Sequence, residues 1–359
     1  MKSKDELMIL HEDGAEQLQK VHDEAAEELL NFQQPRANLV GLADGVKWVN
    51  GEPTGEPSLI ALVNYKLPKS EVSKRDMIPK KIQGMNTDVL AVGEIFAGAS
   101  NMVKHPTKIN GKTSLESWVD DRIEDALETS IETEIETLRR RARPVQGGFS
   151  VGHPDVTAGT IGTMVYDMLP NGIGSPSKYY ILSNNHVLAN SNNAAIDDDI
   201  IQPGRADGGS LRYDKVAKLS RFIPINFTGG KNLVDAAIAQ GEFHDLDRAI
   251  YWIGNLKGKY QKKSVRVGTI VQKTGRTTNF TRGRITGVNA TVMVNYRGGR
   301  VARFVDQIVT TPMSAGGDSG SILTDKNCFA MGLLFAGSAF ATIHNQIENV
   351  CNLLKIEVY

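Results

Sequence analysis

The stretch GRITGVNATVMVN (283–295), followed four residues later by RVARFVDQIV (300–309), sets the fold class of this chain. Both pieces are rich in Val, Ile, Thr and Phe, residues whose branched or flat side chains fit a pleated, half-buried surface. Similar runs flank them at 159–166, 179–183, 216–223, 236–239, 265–273, 321–323 and 330–335, separated by Gly, Asn and Asp. Short strands punctuated in this way predict an all-β sandwich or barrel from Gly147 onward. A closing helix is expected from Ile343, Ile347, Val350, Leu353 and Leu354.

Upstream the texture differs. Leu7, Leu10, Ala15, Leu18, Val21, Ala25 and Leu29 fall near helical spacing within residues 4–33 and predict an amphipathic helix. Asn50-Gly51 is a hairpin signal between a strand ending near Val49 and the apolar run Ser58 to Tyr65. A short helix at 70–77 and a strand at 87–92 complete an expected small α/β unit over 1–98, for regulation or assembly. A capping box at Thr113-Ser114-Leu115-Glu116 opens a connecting helix within 99–145, with Leu115, Val119, Ile123, Leu127, Ile131, Ile135 and Leu138 at helical intervals. The Arg-rich end of that helix, 139–143, reads either as a nucleic-acid or processing signal or, more plainly, as cations that suit the negative end of a helix dipole.

Bulk composition narrows the function. The 359 residues carry 41 basic and 41 acidic side chains, so no net field steers the chain onto nucleic acid or an anionic membrane. Protein or peptide partners are expected instead. The two cysteines, Cys328 and Cys351, do not make the disulfide framework of a secreted protein. No signal peptide is read in the first residues and no apolar run is long enough to span a bilayer, so a cytoplasmic location is expected. The remaining histidines have no metal-ligand spacing and the glycine pairs lack the Lys and Ser/Thr of a phosphate loop; neither metal nor cofactor is expected.

The strongest chemical signal is Gly317-Asp318-Ser319-Gly320 within TTPMSAGGDSGSIL (310–323). A serine becomes a nucleophile when a base takes its proton and fixed donors receive the charge that develops on the attacked carbonyl. His186, delivered by the apolar strand in YYILSNNHVLA, is the candidate base. Asp235 in NLVDAAIA is an acid entering an apolar strand, where burial without a partner is costly. Asp214, or one of Asp197, Asp198 and Asp199, stands as an alternative acid.

The order His186, Asp235, Ser319, with separations of 49 and 84 residues, resembles the chymotrypsin-like serine protease superfamily. Asn184-Asn185-His186-Val187 is similar to the histidine motif of the high-temperature-requirement proteases. Lys273-Thr274-Gly275-Arg276-Thr277-Thr278 resembles the segment that opens the second barrel of α-lytic-type proteases. The order from Gly147 to the C-terminus, with GLLFAGS at 332–338, also resembles uncharacterised bacterial trypsin-like proteins and the plant narrow-leaf proteases, over about 210 of 359 residues.

The resemblance implies a mainly β protease domain over 146–359, built as a double β-barrel, with one barrel at about 146–250, the second at about 262–340, and a C-terminal helix. It implies Ser319 as nucleophile, His186 as base and then acid, Asp235 as the orienting acid, and the backbone N–H groups of Gly317 and Ser319 as the oxyanion hole. It also implies that Arg276 pairs with Asp318 to hold the oxyanion loop. Met313 at the pocket base, with Leu334, Phe335, Ala336 and Gly337 as walls, implies cleavage after small or medium apolar residues. One departure is Phe335, which stands where many relatives have a serine donating to the triad aspartate, so Asp235 needs another donor. A homo-oligomer is a further expectation, by analogy. Two other functions remain open: a catalytically silent protein-binding scaffold on the same fold, and a serine esterase.

Overall fold

The computed structural model describes residues 3–31, 33–49, 52–98, 138–168 and 176–358. Strands dominate them, as the run pattern predicts, and the mainly β class holds. Most of the predicted connecting helix lies outside the described residues.

Six strands after residue 269 close into a ring. Ile270–Gly275 pairs with Asn279–Asn295, which pairs with Val301–Thr310, then Thr342–Gln346, Phe329–Gly337 and Ile322–Asp325, which returns to the first strand. The quoted stretch is therefore its longest hairpin. A second six-stranded sheet contains, in order, Asp199–Ile201, Lys215–Phe222, Ala237–Gly241, Tyr179–Ser183, Thr163–Asp167 and Ile356–Glu357. The helix Ile347–Leu354 lies between two of these strands in the chain and buries Ile347, Val350, Cys351 and Leu354 against Val165, Leu182, Ile238 and Leu333. Its apolar spacing places these groups on one face, and their burial joins the two sheets in one core.

The N-terminal residues add to the ring. Leu39–Val49 and Glu52–Val63 form the predicted hairpin, and the first of them pairs antiparallel with the long strand, Gly41 opposite Val292 and Asp44 opposite Val288. Met85–Ala91 continues the same sheet beyond Glu52–Val63. The predicted amphipathic helix is Glu12–Leu29, preceded by a single capped turn at Lys4–Leu7. Its buried stripe, Leu18, His22, Ala25, Ala26 and Leu29, recurs every three or four residues and shares a core cluster with Leu42, Leu59, Ile285 and Ile308. The buried leucines contribute about 1.5–3 kcal/mol each.

A buried polar group fixes that docking. His22 Nδ1 lies 2.7 Å from Asp44 Oδ1 and its Nε2 3.2 Å from Thr291 Oγ1, while Asn289 donates to Asp44 Oδ2 at 3.0 Å. Helix, hairpin and ring are thus tied through one satisfied network, since a buried carboxylate without such donors would be costly.

Candidate active site

The strand Tyr179–Ser183 ends where Asn184 adopts an extended cap conformation and Asn185–Leu188 makes one helical turn bearing His186. Two amides set this turn. Asn184 Nδ2 donates to the carbonyl of Asp235 at 2.7 Å, and Asn185 Nδ2 donates to the carbonyl of Ile223 at 2.7 Å. Asp235 lies just before the strand Ala237–Gly241, and its N–H is held by Asn345 Oδ1 of the ring at 3.0 Å.

His186 and Asp235 meet. Nδ1 of His186 is 2.6 Å from Asp235 Oδ2, and the His186 backbone N–H donates to Oδ1 at 3.1 Å. Asp235 is 0 % exposed. The donor that Phe335 cannot supply is Tyr296, whose hydroxyl donates to Asp235 Oδ2 at 2.7 Å. Burial, and then the neighbouring Asp235 charge, push the Tyr296 phenol well above its ordinary pKa, so it stays a donor. Phe335 itself is fully buried against Phe304, ring centroids 4.6 Å apart. Three of the four alternative acids are engaged elsewhere: Asp214 with Arg141, Asp198 with His153, and Asp199 with Lys215 and Lys218.

Ser319 sits on a turn between two left-handed glycines, Gly317 at φ +101° and Gly320 at φ +103°. A side chain at 320 would meet the Thr160 carbonyl at 2.1 Å and Ser183 Oγ at 2.2 Å, so the turn presses against the end of the strand that carries His186. Thr160 N–H donates to the Ser319 carbonyl at 2.8 Å, and Gly159 packs between that carbonyl and the Val187 side chain. His186 Nε2 is buried with no hydrogen-bond partner, so the imidazole is not joined to Ser319 Oγ. Ser319 is 5 % exposed and His186 7 %.

The expected Arg276–Asp318 pair is corrected. Asp318 is paired instead by Lys273, Nζ to Oδ2 at 3.1 Å, with both side chains fully buried. Arg276 turns the other way, where Asp207 takes its Nε at 2.9 Å and also its Nη2. Both oxygens of the carboxylate are already occupied. Asp318 Oδ1 is already filled by the backbone N–H groups of Thr277 and Thr278, at 2.9 and 3.1 Å, and Oδ2 accepts from Thr278 Oγ1 at 2.6 Å and from Ala315 N–H at 3.0 Å. Only the lysine, rising from inside the strand, fits the remaining place. Arg276 still lies against the turn, its Nη1 2.5 Å from where a side chain at 317 would begin.

The expected pocket residues divide. Met313 is buried with Val271, Ile285, Leu323 and Met331 inside the ring, whereas Phe335 and Ala336 pack with Phe304, Ala341 and Ile343. Leu334 is buried and its carbonyl accepts from Gly320 N–H at 2.8 Å, which lays its strand alongside the serine turn. Gly337 and Ala336 are covered by the short strand Phe96–Ala97, and Ala97 and Gly98 share a cleft with His186 and Tyr296.

Two participants were not read from the sequence as such. Lys273 stood inside the quoted motif as a residue without a role, and Tyr296 stood between the two quoted strand stretches, 283–295 and 300–309. The only available signal for either was position: a lysine in an apolar run, and a tyrosine at the tip of the longest hairpin.

No protein-family model matches the chain, and no curated protein matches it. Among solved structures it is similar to Thermobifida fusca protease A, at 16 % identity and a TM-score of 0.42, covering 59 % of this chain and 97 % of that one. It is similar to a Nocardiopsis protease, at 17 % identity and a TM-score of 0.42, covering 59 % and 97 %. Cellulomonas bogoriensis chymotrypsin is similar at 20 % identity and a TM-score of 0.40, again covering 59 % and 97 %.

Proposed function

We propose that the chain is a serine endopeptidase in which Ser319 attacks the scissile carbonyl, His186 takes the hydroxyl proton and returns it to the leaving amine, and Asp235 orients the imidazole and stabilises its charged form. The observation that supports this most is the His186–Asp235 contact, closed by Tyr296 on one carboxylate oxygen and by the His186 N–H on the other. The N–H groups of Gly317 and Ser319 donate to no other group among the described residues, which supports them as the oxyanion donors. Such donors act without reorganising, and one of them is typically responsible for a factor of about 10² or more in kcat.

Treating the intact chain with a fluorophosphonate and mapping the adduct by mass spectrometry tests the assignment. A single adduct on Ser319 is expected. An adduct on another residue, or no adduct in the chain and in its Ala97→Asp and Phe96→Gly variants alike, removes it. One observation favours the silent scaffold: His186 Nε2 lacks a contact with Ser319, and that same labelling separates the two readings.

Substrates are proteins or peptides with small or medium apolar residues before the cut, because Leu334 and Ala336, on the strand beside the serine turn, are apolar and offer no counter-charge to a basic side chain. A product profile dominated by Arg or Lys contradicts this specificity, and turnover of esters without peptides would make the chain an esterase. The free thiols of Cys328 and Cys351 support action in a reducing cytoplasm, and the oligomer remains part of the proposal by analogy.

A further inference from the structure

An endopeptidase with its nucleophile beside a free strand edge binds substrate by adding the peptide to that edge as an extra strand. Here the edge beside Ser319 is the end of Phe329–Gly337, held there by the Gly320 N–H bond to Leu334. It is already taken. Phe96–Ala97 pairs antiparallel with it, Ala97 opposite Ala336 and Phe96 opposite Gly337. The next residue, Gly98, stands over the catalytic histidine: a side chain there would begin 3.5 Å from His186 Cδ2 and 3.8 Å from Nε2.

The segment is anchored at its start. Asn295 donates to the Ile95 carbonyl through its backbone N–H at 2.9 Å and its side chain at 3.3 Å, Ser338 Oγ donates to the Val92 carbonyl, and Val92 N–H donates to Val63 at 2.8 Å. Ile95 and Ala97 are buried in the same cluster as Phe335, Ala336 and Tyr296. An extended, apolar piece of chain running along the acceptor edge toward the imidazole has the form of a bound peptide. Its position also accounts for a histidine nitrogen that is buried yet unpartnered.

Resting on the endopeptidase reading, we propose that Ile95–Gly98 is an intramolecular occupant of the substrate groove that keeps the site closed. An external peptide of the same chemistry, with apolar, aromatic and small residues in succession, must displace it. The groove-occupied state is then the resting population, and substrate selects the vacated one. The two-residue pairing is short enough for such exchange, while Val92, bonded to Val63 and Ser338, keeps the segment tethered nearby.

The experiment is the rate of fluorophosphonate labelling of Ser319 in the full chain and in two variants. Ala97→Asp places a charge in the apolar groove, and Phe96→Gly weakens the strand without adding one. Both variants are expected to label about tenfold faster than the parent, the apparent reactivity scaling with the open fraction. Adding the peptide Ile-Phe-Ala-Gly in excess is expected to slow them again. Folded variants, checked by thermal melting, that label at the parent rate overturn the inference and leave the hydrolase assignment standing. Absence of label in parent and variants alike overturns the assignment and the inference with it. Should Ala97→Asp fail to fold, Phe96→Gly and its reversal by peptide decide alone: faster labelling reversed by peptide supports the inference, and labelling at the parent rate or not slowed by peptide overturns it.

Discussion

Asp235→Asn is expected to lower kcat about 10⁴-fold with little change in KM, while the melting temperature of the chain moves only slightly. The reason is the number of acceptors. Asp235 now receives three donors on two oxygens: His186 Nδ1 and Tyr296 on Oδ2, and the His186 N–H on Oδ1. An asparagine has one oxygen. If its carbonyl faces Nδ1, its amide group opposes the His186 N–H. In the reverse orientation the amide faces the ring, which then adopts the tautomer with its proton on Nε2 and no longer accepts from Ser319. Steady-state kinetics on a peptide substrate check this, and a variant retaining a tenth or more of the parent kcat would show that Asp235 does not orient the base.

Lys273→Met is expected to destabilise the chain by about 3–5 kcal/mol, because it leaves a fully buried carboxylate without its cation. Burial works to raise the Asp318 pKa, but Lys273, the Thr278 hydroxyl and the backbone N–H groups of Ala315 and Thr277 outweigh it and hold the carboxyl below its ordinary value of 3.8. A folded pKa that is depressed contributes stability that is fully present above the unfolded value and is lost as pH falls toward the folded one. Without the lysine, burial faces weaker opposition, the folded pKa climbs, and acid unfolding begins at higher pH. Urea titrations at neutral and acidic pH check both parts. Adding Asp318→Asn to Lys273→Met is expected to recover part of the loss, since the amide oxygen keeps some of the backbone donors. An unchanged urea midpoint in Lys273→Met would mean that the pair does not hold the loop.

How much of this was legible in the sequence depended on the range of the interaction. Strand-forming runs act locally, so the hairpin of 283–309, the strand into His186 and the helix over Glu12–Leu29 stand where the residues put them. The short helix expected at 70–77 shrinks to one 3₁₀ turn, Lys69–Glu71, which has no side-chain cap. That Asp235 needs a partner followed from chemistry, since an acid entering an apolar strand has to find one, whereas His186 as that partner came from the resemblance. The choice between Lys273 and Arg276 did not. Both lie three residues apart in one motif, and which reaches Asp318 depends on the strand's pleat and on how much of the carboxylate the backbone has already taken. Tyr296 was hidden for a similar reason, because its hydroxyl reaches Asp235 across 61 residues of chain. The pairing of Gly41–Asp44 with the long strand joins positions some 245 apart, beyond the reach of any local pattern.

That distant pairing has a consequence for where the molecule can be cut. On one side, the strand Asn279–Asn295 is covered over its first half by Ile270–Gly275 and over its second by the N-terminal hairpin. A fragment beginning at Gly147 would carry a bare edge along Val288–Val292, with Ala290 and Val292 stripped of Ala43, Ile60 and Leu62. Unpaired backbone beside newly wetted hydrocarbon is a template for sticking to other chains. The sequence boundary that looks like a seam between two modules is, in three dimensions, a shared wall.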